Sequence, residues 1–148
     1  MIVAAAGMGF LLAVLWFDLM FDVQVWPYRR DPDTIPDDVV DSIATYYRRV
    51  TTDAHPMSRL VALAMLVTLV ALITTGIRDG GGAPWVALAL VVPPIGYAGA
   101  SIVPAAVRLG SRRDDPATQR RLARAILLGH VGCWLSVFAA LLVTVLGS

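Results

Sequence analysis

Ala13-Val14-Leu15-Trp16-Phe17-Asp18-Leu19-Met20-Phe21-Asp22-Val23 is an apolar run that carries two carboxylates. With its flanks it extends from about Ile2 to Trp26, long enough to cross the hydrocarbon of a bilayer as a helix. Asp18 and Asp22 stand four residues apart and so share one helical face. A carboxylate in hydrocarbon is costly unless it is paired, hydrated or protonated. The remainder of the chain is therefore expected to be arranged around those two side chains.

Composition agrees with a membrane setting. Of 148 residues, 57% are hydrophobic and 16% are charged, and the mean hydropathy is +0.70. Soluble domains carry about a quarter charged residues. Every basic residue is Arg and every acidic one is Asp, a bias expected of a high-GC, bacterial coding sequence. The net charge of +1 and the division of the arginines between two loops give no basic stripe for nucleic acid. A lone cysteine, Cys133, excludes an intrachain disulfide and a Cys-based metal cluster.

Four segments reach the length of a membrane span: residues 2–26, 57–77, 84–107 and 122–147. Only helices or closed barrels satisfy their backbone groups in lipid, and the Leu, Ala and Val content selects helices. The fold expected is all-α, a polytopic four-transmembrane-helix bundle formed as one domain over residues 1–148. No basic residue precedes Arg29, so the first segment lacks the basic start of a secretory signal and is expected to be retained.

Arginines cluster in or beside the first loop (Arg29, Arg30, Arg48, Arg49, Arg59) and the third (Arg108, Arg112, Arg113, Arg120, Arg121, Arg124). The positive-inside rule places those two loops in the cytoplasm and both termini outside an inner or plasma membrane. Within the first loop, residues 37–50 read as a short amphipathic helix, with Val39, Val40, Ile43, Tyr47 and Val50 on one side. It can lie at the cytoplasmic interface or cap the bundle. Asp37, Asp38 and Asp41 near its start and Arg48 and Arg49 near its end complement the helix dipole.

Pro27 is expected to end the first helix, and Pro93, Pro94 and Pro104 to kink or unwind the third. Asp114-Asp115-Pro116 reads as the start of the fourth. Gly129, Cys133, Ser136 and Ala140 form a small-residue face there, expected to be a packing seam. Trp26, Tyr28, Tyr46, Tyr47 and Trp85 read as interfacial anchors, and His55 as a loop or interface residue.

Depth along ideal helices brings polar residues into one slab. Asp18 lies about 12 Å inside Trp26, His130 about 9 Å beyond Arg124, and Ser101 and Tyr97 roughly 10 and 16 Å inside Arg108. A bundle turning these faces inward would gather Asp18, Asp22, Tyr97, Ser101 and His130 around one cavity. Asp18 and His130 are the candidate catalytic pair, and Asp22, Tyr97 and Ser101 the candidate binding groups. Asp22 has a plainer alternative, reaching the interface or pairing with an arginine such as Arg59, Arg108 or Arg124. No HExxH, P-loop or dinucleotide motif is present, and the pattern of carboxylates and histidines does not match a di-iron bundle. No metal is assigned, and no cofactor is identified.

Tyr47-Arg48-Arg49-Val50 followed by His55-Pro56-Met57, then Val103-Pro104-Ala105-Ala106-Val107-Arg108-Leu109, Asp115-Pro116 and Leu128-Gly129-His130, resemble segments of the anthrone oxygenase-like family of small four-helix membrane proteins. An acidic residue before Pro27, Asp18 or Asp22, adds to the likeness. Ala105 and Ala106 stand where that pattern has Asn, and Gly132 and Cys133 where it often has Arg. The resemblance implies a four-helix membrane fold and oxidation of a lipophilic aromatic or quinol-like substrate. The residues alone leave three functions open: an intramembrane enzyme or binding site for a lipophilic small molecule, a non-catalytic subunit or homo-oligomer in a membrane assembly, and a proton-coupled carrier.

Overall fold

Apolar length dictates four long helices. The computed structural model contains them, and it describes residues 1–147 and all their side chains except that of His55. Helix α1 spans Ile2–Asp22, α2 Asp37–Arg48, α3 His55–Asp79, α4 Gly82–Tyr97, α5 Val103–Ser111 and α6 Pro116–Leu146. No strand occurs among the described residues. Four stretches are long and apolar enough to cross a membrane: Ile2–Tyr28, Pro56–Asp79, Gly82–Ser111 and Pro116–Leu146. The expectation for His55 falls on a side chain outside the described residues.

Prolines shape these stretches in ways that segment lengths alone do not capture. Pro27 does not stop the first one. The α-helix ends at Asp22, and the chain continues as a 3₁₀ helix over Val23–Tyr28 with Pro27 inside it. A 3₁₀ turn bonds to the third residue back, so the carbonyl that proline would obstruct in an α-helix is not required. The third stretch is interrupted at Ala98–Ile102 by a π-helical turn, closed by the Val103 N–H on the Ala98 carbonyl. That wider turn lies just before Pro104 and relieves the clash of its ring with the preceding turn. Asp115 caps α6, its side chain accepting from the Thr118 backbone N–H at 3.0 Å. The helix therefore starts at Pro116, six residues before the span expected from residue 122.

The bundle closes as a ring in which α1 packs on α3 and α6, and α4 packs on the same two helices. Close approach relies on small residues: a Cβ on Gly7 would meet the Thr68 side chain, and one on Gly129 would lie 2.9 Å from Ile102. Two apolar cores result. One gathers Ala4, Met8, Leu11, Leu72, Val91 and Val137. The other gathers Val25, Ile35, Ile43, Tyr47, Leu109 and Ile126. Leu15 packs against both. Along the first span the two acids fall between Leu11 and Val25, at the seam of the two cores.

Helix α2 belongs to the second core. Its apolar face buries Val40, Ile43, Ala44 and Tyr47 and packs mainly on α5. Its polar face is tied down by ion pairs of Arg120 with Asp37, at 2.7 Å, and of Arg112 with Asp41. Gly110 makes the α2–α5 contact possible, since a Cβ there would stand 2.7 Å from the Arg48 backbone nitrogen and 3.2 Å from the Tyr47 carbonyl carbon. This close seat directs Tyr46 and Tyr47 toward α1.

Candidate functional site

Asp18 and Asp22, on one face of α1, meet His130 of α6 and two tyrosines of α2. Asp22 is wholly buried, and the side chain of His130 is 7% exposed. The Tyr47 hydroxyl donates to Asp22 Oδ1 at 2.7 Å. His130 Nδ1 lies 2.7 Å from Asp22 Oδ2 and 3.3 Å from the Tyr47 oxygen. The Tyr46 hydroxyl donates to Asp18 Oδ1 at 2.7 Å. Across the imidazole, Nε2 faces Asp18 Oδ2 at 3.9 Å, beyond hydrogen-bond reach.

The roles of the ring atoms follow from the charge on Asp22. When Asp22 is ionised its carboxylate only accepts hydrogen bonds, and Nδ1 then donates the one between them. The basic or protonated position left to the ring is Nε2, aimed at Asp18. A carboxylate that orients an imidazole in this way leaves the far nitrogen placed to take or give a proton. Tyr46 and Tyr47 act as neutral donors: burial first, then the neighbouring Asp charges, hold both phenols well above their ordinary range. Phe21 stacks on Tyr46 with ring centroids 3.9 Å apart, and Tyr46 meets Tyr47 edge-on. Asp18 is the open member, its side chain 17% exposed.

Of the five side chains expected in one cavity, three converge. Tyr97 and Ser101 do not join them. Both are exposed, and Tyr97 instead lines a groove of about 380 Å³ between α4 and α6, together with Pro93, Pro94, Gly129, Gly132 and Ser136. Depth does not fix the direction a side chain takes: Tyr97 lies level with Gly129, beside His130, yet is exposed, and Ser101 sits within the π-helical turn at Ala98–Ile102. Among the described residues, Asp22 pairs with none of Arg59, Arg108 or Arg124. Arg108 is bonded to Asp114 at 2.8 Å, and Arg124 donates to the Arg29 carbonyl. Sequence reasoning took Tyr46 and Tyr47 for interfacial anchors. The signal that could have found them is the apolar face of α2 itself, where Tyr47 follows Val40 and Ile43 at helical spacing.

The small-residue face of α6 is a seam, and part of it compensates a proline. Pro94 cannot donate to the Leu90 carbonyl four residues back, and Ser136 Oγ supplies that bond at 2.7 Å. Cys133 is buried against the Pro94 carbonyl. Among the described residues, no group of three or more His, Cys, Asp or Glu is placed to hold a metal ion. No family model, curated protein or solved structure matches the chain.

Proposed function

We propose that the chain is a multi-pass protein of an inner or plasma membrane, with α2 and the loops on either side of it facing the cytoplasm, together with the α5–α6 loop. Its Asp18–His130–Asp22 centre binds a lipophilic molecule from the bilayer and exchanges a proton with it. One observation carries this reading. An imidazole locked by a buried carboxylate presents its free nitrogen to a second, partly open carboxylate, within a stretch apolar enough to lie in hydrocarbon. Ionisable groups at such depth are costly to keep and mark binding or proton-transfer sites. His130 Nε2 is the proton acceptor in this scheme, Asp18 the group that faces the ligand, and Asp22 with Tyr47 the pair that holds the ring. The resemblance to anthrone oxygenase-like proteins extends the reading to oxidation of an aromatic or quinol-like ligand.

The test is extraction and mass spectrometry of small molecules that co-purify with the protein in nanodiscs. A lipophilic compound held by the wild type and lost from a folded Asp18→Asn variant supports the reading. Equal retention by both overturns it. Cysteine-labelling from each side of the membrane checks orientation, with loops one and three reactive from the cytoplasm.

A second reading, a subunit or homo-oligomer in a larger membrane assembly, draws on open glycines. A Cβ on Gly96, Gly99 or Gly132 would meet nothing within 4 Å, which leaves room for another helix to approach. Native mass spectrometry in nanodiscs separates a lone chain from an assembly.

A further inference from the structure

With both carboxyls ionised, the polar centre would hold more negative charge than its one basic group neutralises. Asp18 and Asp22 face a single basic group, His130. With the imidazole protonated, one negative charge is uncompensated; with it neutral, two are. Tyr46 and Tyr47 add dipoles and no charge. The titratable groups facing Asp18 are Asp22 on its own helix, Tyr46 and Tyr47 from α2, and His130 from α6. From α3, which packs on α1, no charged group makes an ion pair with it among the described residues. Four arginines of the packed elements are engaged elsewhere: Arg108 with Asp114, Arg112 with Asp41, Arg120 with Asp37 and Arg124 with the Arg29 carbonyl. An unbalanced charge in a low-dielectric setting is expensive, so the centre closes its charge either by keeping one further proton or by taking up one positive charge from outside the protein.

Where that charge would sit is defined by a second feature. His130 is more than nine-tenths buried, yet its Nε2 makes no hydrogen bond among the described residues and points at Asp18 across 3.9 Å. Beside Asp18 stands the stacked Phe21–Tyr46 pair, and Phe17 and Phe21 of the same helix are exposed. Aromatic faces next to a carboxylate attract cations by quadrupole and charge together. A hard ion such as Na⁺ or Ca²⁺ prefers a shell of oxygen ligands, and two carboxylates with one imidazole supply too few. The exposed Phe17 and Phe21 rings favour a greasy cation over a hydrated one.

We infer that Asp18 and the Phe21–Tyr46 pair form a site for a lipophilic monovalent organic cation, bound in exchange for a proton, with the protonated His130 offsetting Asp22. The inference rests on the reading of this centre as a proton-exchanging ligand site. The exchange balances: the empty centre carries one proton that closes its charge, and the cation enters as that proton leaves to water. No bond other than the one to the proton is made or broken.

The experiment is isothermal titration of tetraphenylphosphonium into the full chain in nanodiscs. This probe keeps its charge at every pH, so any pH dependence belongs to the protein. Binding is expected to tighten by about tenfold per pH unit over the range where the centre gives up its proton, as one-proton linkage requires. Titration in two buffers of different ionisation enthalpy should report about one proton released per cation bound. Asp18→Asn, which keeps shape and removes the charge, should weaken binding by about 30-fold or more, the loss of one close charge pair. Binding that is independent of pH, or equal in a folded Asp18→Asn protein, overturns the inference. If that variant does not fold, proton release by the wild type decides. Should neutral hydroquinone bind in an Asp18-dependent manner while the phosphonium does not, the proton-exchange reading survives and the cation site falls. Should neither bind, both fall.

Discussion

Tyr47→Phe removes one oxygen atom from the polar centre and tests its energetic arrangement directly. The hydroxyl is 2.7 Å from Asp22 Oδ1, and Asp22 has no exposed surface. No water can replace the lost donor without opening the packing around Val25 and Ile43. A hydrogen bond to a charged acceptor is worth about 1.5–3 kcal/mol, and an orphaned buried acceptor adds to the loss, so the expected destabilisation is about 2–3 kcal/mol. Tyr46→Phe is the control with the same chemistry. Its partner Asp18 keeps 17% of its side chain accessible, so solvent can replace the donor there. The expected cost is about 0.5–1 kcal/mol. Equilibrium unfolding of both variants in mixed detergent micelles with rising sodium dodecyl sulfate measures the difference. A double-mutant cycle with Asp22→Asn should shrink the Tyr47→Phe cost, because a neutral carboxamide is a weaker acceptor than a carboxylate. Equal costs for the two tyrosines, or a larger one for Tyr46, would refute the assignment of Asp22 as the buried anchor and Asp18 as the open face.

Gly110→Ala should destabilise by about 1–3 kcal/mol, since the new methyl meets α2 backbone atoms that cannot rotate away; Gly132→Ala, with nothing within 4 Å, should be neutral or stabilising by up to about 1 kcal/mol. The same unfolding assay must separate the pair for the α2–α5 seat to stand. Ser136→Ala strands the Leu90 carbonyl freed by Pro94 and should cost about 1 kcal/mol, read as a lowered unfolding midpoint. Asp115→Ala should destabilise the start of α6 at neutral pH and do nothing in strong acid. Hydrogen bonds from the Thr118 hydroxyl and backbone N–H hold the Asp115 carboxyl below its ordinary 3.8, so its contribution is complete above that value and disappears as pH falls through the lower folded one. Hydrogen exchange at residues 117–119 across pH measures this, and a pH-independent effect would remove the cap from the account.

The sequence made two kinds of statement about this fold, and they differ in reach for a physical reason. Hydrophobic length is a local property, and it located all four long helices, because a span must supply about 20 apolar residues wherever it sits. The spacing of Asp18 and Asp22 was also local and placed both on one face. The depth of His130 on α6 matched them because that helix runs unbroken from Pro116 to Leu146, so rise per residue converts directly into position. The same arithmetic set Tyr97 level with Gly129, next to His130, but depth does not say which way Tyr97 and Ser101 face. The π-helical turn takes in an extra residue and rotates the helix beyond it, and nothing in an apolar run announces that rotation before the backbone is seen. The tyrosines were missed for another reason. Tyr46 and Tyr47 stand beside Arg48 and Arg49 at the end of the expected interfacial helix, where an aromatic residue reads as an anchor in the interface. A non-local contact turns them inward, α2 seated on Gly110 some 60 residues later in the chain. A buried acid therefore signals that a partner exists, while the partner's identity is set by helix–helix contacts. Those contacts depend on small residues whose role becomes visible only in three dimensions.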